Sequence, residues 1–274
     1  MTIPINELSK PAAQAAQDFL GELQTVLDKD LLAAWIHGAR TFPDRPKALG
    51  DLDISVIVVS VAPAERRYSQ WREDPTSRPH RLSETRDAIS ARRRVELSPS
   101  YLLRDELAAS EPPFAFTPRH HHVGWPLERT HFLAGQYVQL YGPPPDQLVA
   151  APTWDESHHA LDREVEHLER HVHEGDHIVP YEAAYATLNG CRILYTLKTR
   201  SPVISKRSAG AWGLGHLPAA WHAPIEAAGR VYDGDASSED EALLAATMPE
   251  LVGTVREHLQ PTEPRPPGPP RWAG

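Results

Sequence analysis

Gly50-Asp-Leu-Asp-Ile-Ser-Val-Ile-Val-Val-Ser60 opens on a glycine, sets two carboxylates two positions apart, and then turns almost wholly apolar. A run dominated by Ile and Val at this length forms a buried strand, so Asp51 to Ser60 is predicted as one. Side chains alternate faces along a strand. Asp51 and Asp53 therefore share a face at the strand's mouth, while Leu52 points into the core. Two adjacent carboxylates repel each other, which raises a carboxyl pKa. A divalent cation resolves that conflict, and hard oxygen ligands suit Mg²⁺.

Upstream, residues 10–28 carry Phe19, Leu20, Leu23 and Leu27 at helical spacing. Leu31 to Ile36 reads as a strand that ends in a His37-Gly38 turn, where backbone N–H groups can meet a phosphate. Residues 40–50 read as a loop. Downstream, Ser83 to Arg94 reads as a helix, and Val95 to Leu103 as a third strand carrying Glu96. A neighbouring strand brings that third carboxylate toward Asp51 and Asp53. Residues 110–126 read as irregular, with His120, His121 and His122 in a polar loop, and Gln136 to Tyr141 as a short strand stopped by Gly142.

After residue 150 strand signals vanish. Leu161, Val165, Leu168 and Val172 form one helical stripe, and Ala184, Leu188, Cys191 and Tyr195 another. Residues 206–216, 218–232 and 239–259 also read as helices. The tail from Gln260 holds six prolines and is predicted to be disordered. The expected fold class is α+β, with a mixed-sheet domain over 1–150, an all-helical domain over 151–260 and a loose tail over 261–274.

The chain has 274 residues, enough to bury a core without disulfides. A net charge of -9 argues against a surface devoted to nucleic acid. Cys191 is the only cysteine, which excludes an intramolecular disulfide and a cysteine-based zinc finger. The longest apolar run, Ile54 to Ala62, is far short of the roughly 20 residues of a membrane span. Residues 1–20 lack the pattern of a signal peptide. The expectation is a cytoplasmic protein with no membrane or nucleic-acid partner.

Three front-half segments, Trp35-Ile-His-Gly-Ala-Arg40, Gly50-Asp-Leu-Asp-Ile54 and Val95-Glu-Leu97, join four in the back half. These are Leu188-Asn-Gly-Cys-Arg-Ile-Leu194, Ile204-Ser-Lys-Arg-Ser-Ala-Gly-Ala-Trp212, Leu217-Pro218 and Ala227 to Tyr232. Their order and spacing, with Val138 to Pro143 between them, resemble the aminoglycoside adenylyltransferases of the streptomycin/spectinomycin type. The resemblance covers about residues 12–235. It implies a nucleotidyltransferase-fold domain followed by a helical domain, and Mg-ATP-dependent transfer of AMP to a hydroxyl of an aminoglycoside-like antibiotic. By resemblance, Asp51, Asp53 and Glu96 hold Mg²⁺, and Glu96 is the base that takes the acceptor's proton. Gly38, Ala39, Lys206 and Tyr232 fall at nucleotide positions. Glu182 falls where the family faces its cationic drug.

The chain departs from that pattern at the turn. The family's Gly-Ser is Gly38-Ala39 here, and a serine often found before the first aspartate is Gly50. Two hydroxyl contacts to nucleotide are thereby lost, which raises the alternative of a degenerate nucleotidyltransferase that binds a nucleotide or small molecule without turnover. Where streptomycin-modifying members carry a Trp and an Asp, this chain has His173 and Ile178. Phe116 and Trp125 are the candidates for an aromatic drug contact.

Overall fold

The structure is a computed structural model. It describes residues 2–44, 50–67, 74–174 and 179–260, the side chains of His171, His173 and Glu174 excepted. The expected tail over 261–274 lies outside the described residues, as does Ile178.

Four strands form one mixed sheet in the order β3-β2-β1-β4. They are β1 (Leu31–His37), β2 (Leu52–Val58), β3 (Leu97–Leu103) and β4 (Val138–Tyr141). β1 runs antiparallel to both β2 and β4, whereas β2 and β3 are parallel. Helix α1 (Lys10–Leu27) precedes the sheet, and α2 (Arg78–Arg93) lies in the crossover from β2 to β3.

Both faces of the sheet are covered, which explains the nearly continuous apolar character of β2. On one face Ala34, Ile36, Leu52, Ile54 and Val56 pack with Phe19 and Leu23 of α1 and Leu82 and Ile89 of α2. On the other, Ala33, Trp35, Ile57 and Leu102 pack with Trp125 and Phe132. These last two lie on α3 (Trp125–Leu133), a helix in the stretch the sequence reading leaves irregular up to residue 126. Its buried residues include Trp125, Pro126, Arg129, His131 and Phe132, so no single apolar stripe marks it.

The remaining helices are α4 (Trp154–Glu174), α5 (Pro180–Thr199), α6 (Lys206–His216), α7 (His222–Asp233) and α8 (Ser238–Leu259). The helix expected over 218–232 is split, with a 3-10 turn at Ala219–Trp221 before α7. α5 is the hub and touches α4, α6, α7 and α8. Its Gly190 permits the approach of α8, since a Cβ there would lie 3.2 Å from Leu251 Cδ2. Cys191 is buried in this half, and burial pushes its thiol up to about 12.

Candidate active site

A cavity of about 740 Å³ lies where the sheet meets the helices, within the range typical of small-molecule sites. Register builds its sheet side. His37 pairs with Asp53 across β1 and β2, and Leu52 pairs with Leu97 across β2 and β3. The Leu52 N–H also donates to the Glu96 carbonyl at 2.8 Å. Asp51 and Glu96 thus stand together just before the paired ends of the two parallel strands, with Asp53 one step in. Glu96 precedes β3, which starts at Leu97, rather than lying on it as the sequence suggested. All three carboxylates line the cavity.

The turn after β1, Gly38–Thr41, crosses in front of Asp53. Gly38 has φ +78°, and a Cβ on it would lie 2.0 Å from Asp53 Oδ2. Glycine is therefore required twice, by backbone conformation and by the carboxylate. Arg40 donates from Nε to the Asp51 carbonyl at 2.9 Å and from its guanidinium to the Gly50 carbonyl. That basic group fastens the backbone carrying the first carboxylate. Burial, Asp51 and Glu128 push the Asp53 carboxyl up to about 6, against the opposing pull of His37 and Lys206.

The helical side brings cations and phenols. Lys206, the first residue of α6, sets its Nζ 4.2 Å from the Tyr185 ring centre and 5.6 Å from that of Tyr232. Such placement is a cation–π contact. Burial and nearby Arg192 push the ammonium down to about 8, while Asp53 and Asp51 resist. Glu164 accepts from the Tyr185 hydroxyl at 2.9 Å and from the Asn189 amide. Burial pushes the Tyr232 phenol up to about 12.

A further, partly buried acid, Glu128, lines the cavity with the carboxylates. His122 Nε2 is 3.0 Å from Glu128 Oε2, and His37 Nε2 is 3.7 Å from the same oxygen. His37 Nε2 also bonds Ser55 Oγ at 3.1 Å. Burial by itself would raise the Glu128 carboxyl, yet the two imidazoles bring it down to about 2. Burial likewise pulls His122 down, and Glu128 more than reverses it, leaving His122 raised.

Residues 155–258 match the family model of the aminoglycoside adenylyltransferase C-terminal domain. The whole fold resembles the crystal structure of the spectinomycin adenyltransferase AAD(9) from Enterococcus faecialis with ATP and spectinomycin. The TM-score is 0.65 at 13% identity, over 89% of this chain and 98% of that one. No curated protein matches the chain in sequence. The expected α+β fold is borne out by this likeness, and the match over residues 155–258 supports the reading as a nucleotidyltransferase.

The helical half and the sheet bring Gly38, Ala39, Asp51, Asp53, Glu96, Lys206 and Tyr232 to one cavity. Glu182 is not among its lining residues. It lies in the first turn of α5, while the same helix turns Tyr181, Tyr185 and Asn189 inward. The acid on the helical wall is Glu164 instead. His173 is on the last turn of α4, and its side chain lies outside the described residues. Neither aromatic candidate faces the cavity. Trp125 is fully buried with its Nε1 donating to the Leu107 carbonyl at 2.9 Å, and Phe116 packs on Tyr101. Arg92 and Arg93 do not line the cavity either, and both pair with Asp18 of α1.

The sequence reading missed Glu128, Glu164, Tyr181, Tyr185 and Arg192. His122 is expected in a polar loop and is instead paired with the partly buried Glu128. A histidine run followed six residues on by a glutamate carries no signal of that pairing. Tyr181 is the exception in kind: it is 53% exposed and lines the cavity, and a large aromatic left open beside a turn invites attention.

Proposed function

We propose that the chain transfers AMP from ATP to a hydroxyl of an aminoglycoside-like small molecule. The observation that carries this reading is the meeting of Asp51, Asp53 and Glu96 from the sheet with Lys206 and Tyr232 from the helices around one cavity. Among the described residues, no group of three or more His, Cys, Asp or Glu side chains could hold a metal ion unaided. The donor set still fits Mg²⁺, which is bound through one or two carboxylates plus phosphate oxygens rather than by an all-protein cage. Asp53, raised to about 6 beside Asp51, is an acid whose charge such an ion would stabilise. Asp51 and Asp53 would hold Mg²⁺, and the ion would neutralise charge on the phosphates.

The protein's own residues do the rest. Lys206 faces the phosphates and screens their charge from Asp53. The Gly38–Ala39 backbone packs against the phosphate chain as closely as glycine permits. Glu96, exposed at the cavity edge, takes the proton as the acceptor oxygen bonds to the α-phosphorus and the bond to pyrophosphate breaks. Positioning in the cavity lowers the entropic part of the barrier. A spectinomycin-class acceptor is the first to test, and the compound bound in the AAD(9) structure supports it.

Binding without turnover is the second reading, favoured by the missing hydroxyls at Ala39 and Gly50. The test is incubation with Mg-ATP and a panel including spectinomycin and streptomycin, with mass spectrometry for an adenylylated product and Glu96→Gln as control. A product that vanishes in the control is expected. Mg-ATP binding with no product from any acceptor would favour the second reading.

A further inference from the structure

Beyond the turn that carries Gly38 and Ala39, the chain leaves the sheet and touches the helical half through Asp44. The Asp44 carboxylate accepts from the hydroxyls of Ser205 and Ser208, both at 2.5 Å. These serines flank Lys206 at the start of α6, where Ser205 is also the cap: its Oγ accepts from the Ser208 N–H at 2.9 Å. A third bond runs from Arg207 Nε to the Asp44 carbonyl at 3.1 Å. Arg207 in turn pairs with Asp233, the neighbour of Tyr232. Arg40, four residues before Asp44, donates to the carbonyls of Gly50 and Asp51.

We propose that Asp44 is a positioning residue, a latch that sets the α6 terminus bearing Lys206 against the sheet-side turn and the Asp51–Asp53 pair. The latch joins segments from opposite halves of the chain. A carboxylate at a helix N-terminus is favoured by the helix dipole, and hydrogen bonds to an ionised acceptor are about twice as strong as neutral ones. The bonds therefore order the first turn of α6 and with it the backbone from which Lys206 projects. None of these bonds uses the Lys206 ammonium, which faces the Tyr185 and Tyr232 rings, so the carboxylate anchors the helix without occupying the lysine's place.

The inference rests on the ATP reading for its kinetic consequence, and an independent measurement reads the latch itself. Hydrogen exchange at the Ser208 and Ala209 amides, held by the Ser205 side chain and carbonyl, reports opening of this turn. In the full-length protein, Asp44→Ala is expected to speed that exchange about tenfold. Asp44→Asn, which keeps an acceptor, should restore part of the protection, and Ser208→Ala should add little to Asp44→Ala. Unchanged exchange in Asp44→Ala would overturn the latch, whatever the enzyme does. With AMP transfer in hand, Asp44→Ala is expected to raise the KM for ATP about tenfold while kcat changes less than about threefold. A KM that stays level or falls would overturn the positioning role and leave Asp44 a stabilising contact alone. A wild type that neither binds nor uses ATP would refute the proposed function and leave the exchange result standing.

Discussion

The two walls of the cavity are built by different means. On the sheet side, Asp51, Asp53 and Glu96 owe their placement to backbone register, which fixes neighbours to within one residue. On the helical side, Lys206, Tyr185, Tyr232 and Glu164 come from four different helices and converge through packing and side-chain bonds. A register-built wall has little freedom, so a single substitution should act on chemistry. A packing-built wall can shift, so substitutions there should act first on binding.

Asp53→Asn gives the hardest test of this contrast. It keeps the side-chain shape and removes the charge, and AMP transfer should fall at least about 10³-fold with the fold intact by circular dichroism. Retained transfer would remove Asp53 from the metal-holding role. Gly38→Ala should come next. Its methyl would meet the Asp53 carboxylate at 2.0 Å in a strained backbone, with a loss of about 10²-fold in kcat. A fall in kcat no larger than that from a helix-side change would erase the distinction between the walls. Lys206→Met on the other wall is expected to raise the KM for ATP about 30-fold, with a smaller change in kcat.

The Glu128 network bears on stability. His122 is raised in the folded state, so the stability it contributes is fully present below its ordinary value of 6.5. It is lost as pH rises through the raised folded value. The melting temperature should therefore decline across that interval, and Glu128→Gln should flatten the decline while costing about 2 kcal/mol below it. A slope that survives in Glu128→Gln would place the titrating group elsewhere. The smallest effect belongs to Glu182→Gln, for which the KM of any acceptor should move less than about twofold, because the side chain is off the cavity wall. A large change would return Glu182 to the site.

The legibility of the two walls follows the same division. Asp51 and Asp53 could be read because a strand's period of two is a local property, and Leu52 between them is indeed fully buried. Lys206 and Tyr232 were reached only through the resemblance of their surrounding segments, since a lysine at a helix start looks like any other. Glu182 shows the cost of that route. A position carried over along α5 lands one residue from Tyr181, which faces the cavity, and a helix turns about 100° per residue. Helix α3 was missed because its two-sided burial hides the amphipathic pattern on which such predictions depend.

By itself the sequence determined the local elements that periodicity governs: the apolar strand behind two carboxylates, the glycine turn before it, and helical stripes after residue 150. It also limited the chemistry, with one cysteine and no apolar run of membrane length. Only the tertiary structure decided that Glu96 meets Asp51 through parallel pairing, that His122 and His37 share the acid Glu128, and that Asp44 reaches Ser205 and Ser208. The physical reason is range. Alternation and helical spacing are set by neighbours along the chain, whereas a hydrogen bond between residues 44 and 208 is set by the packing of everything between them.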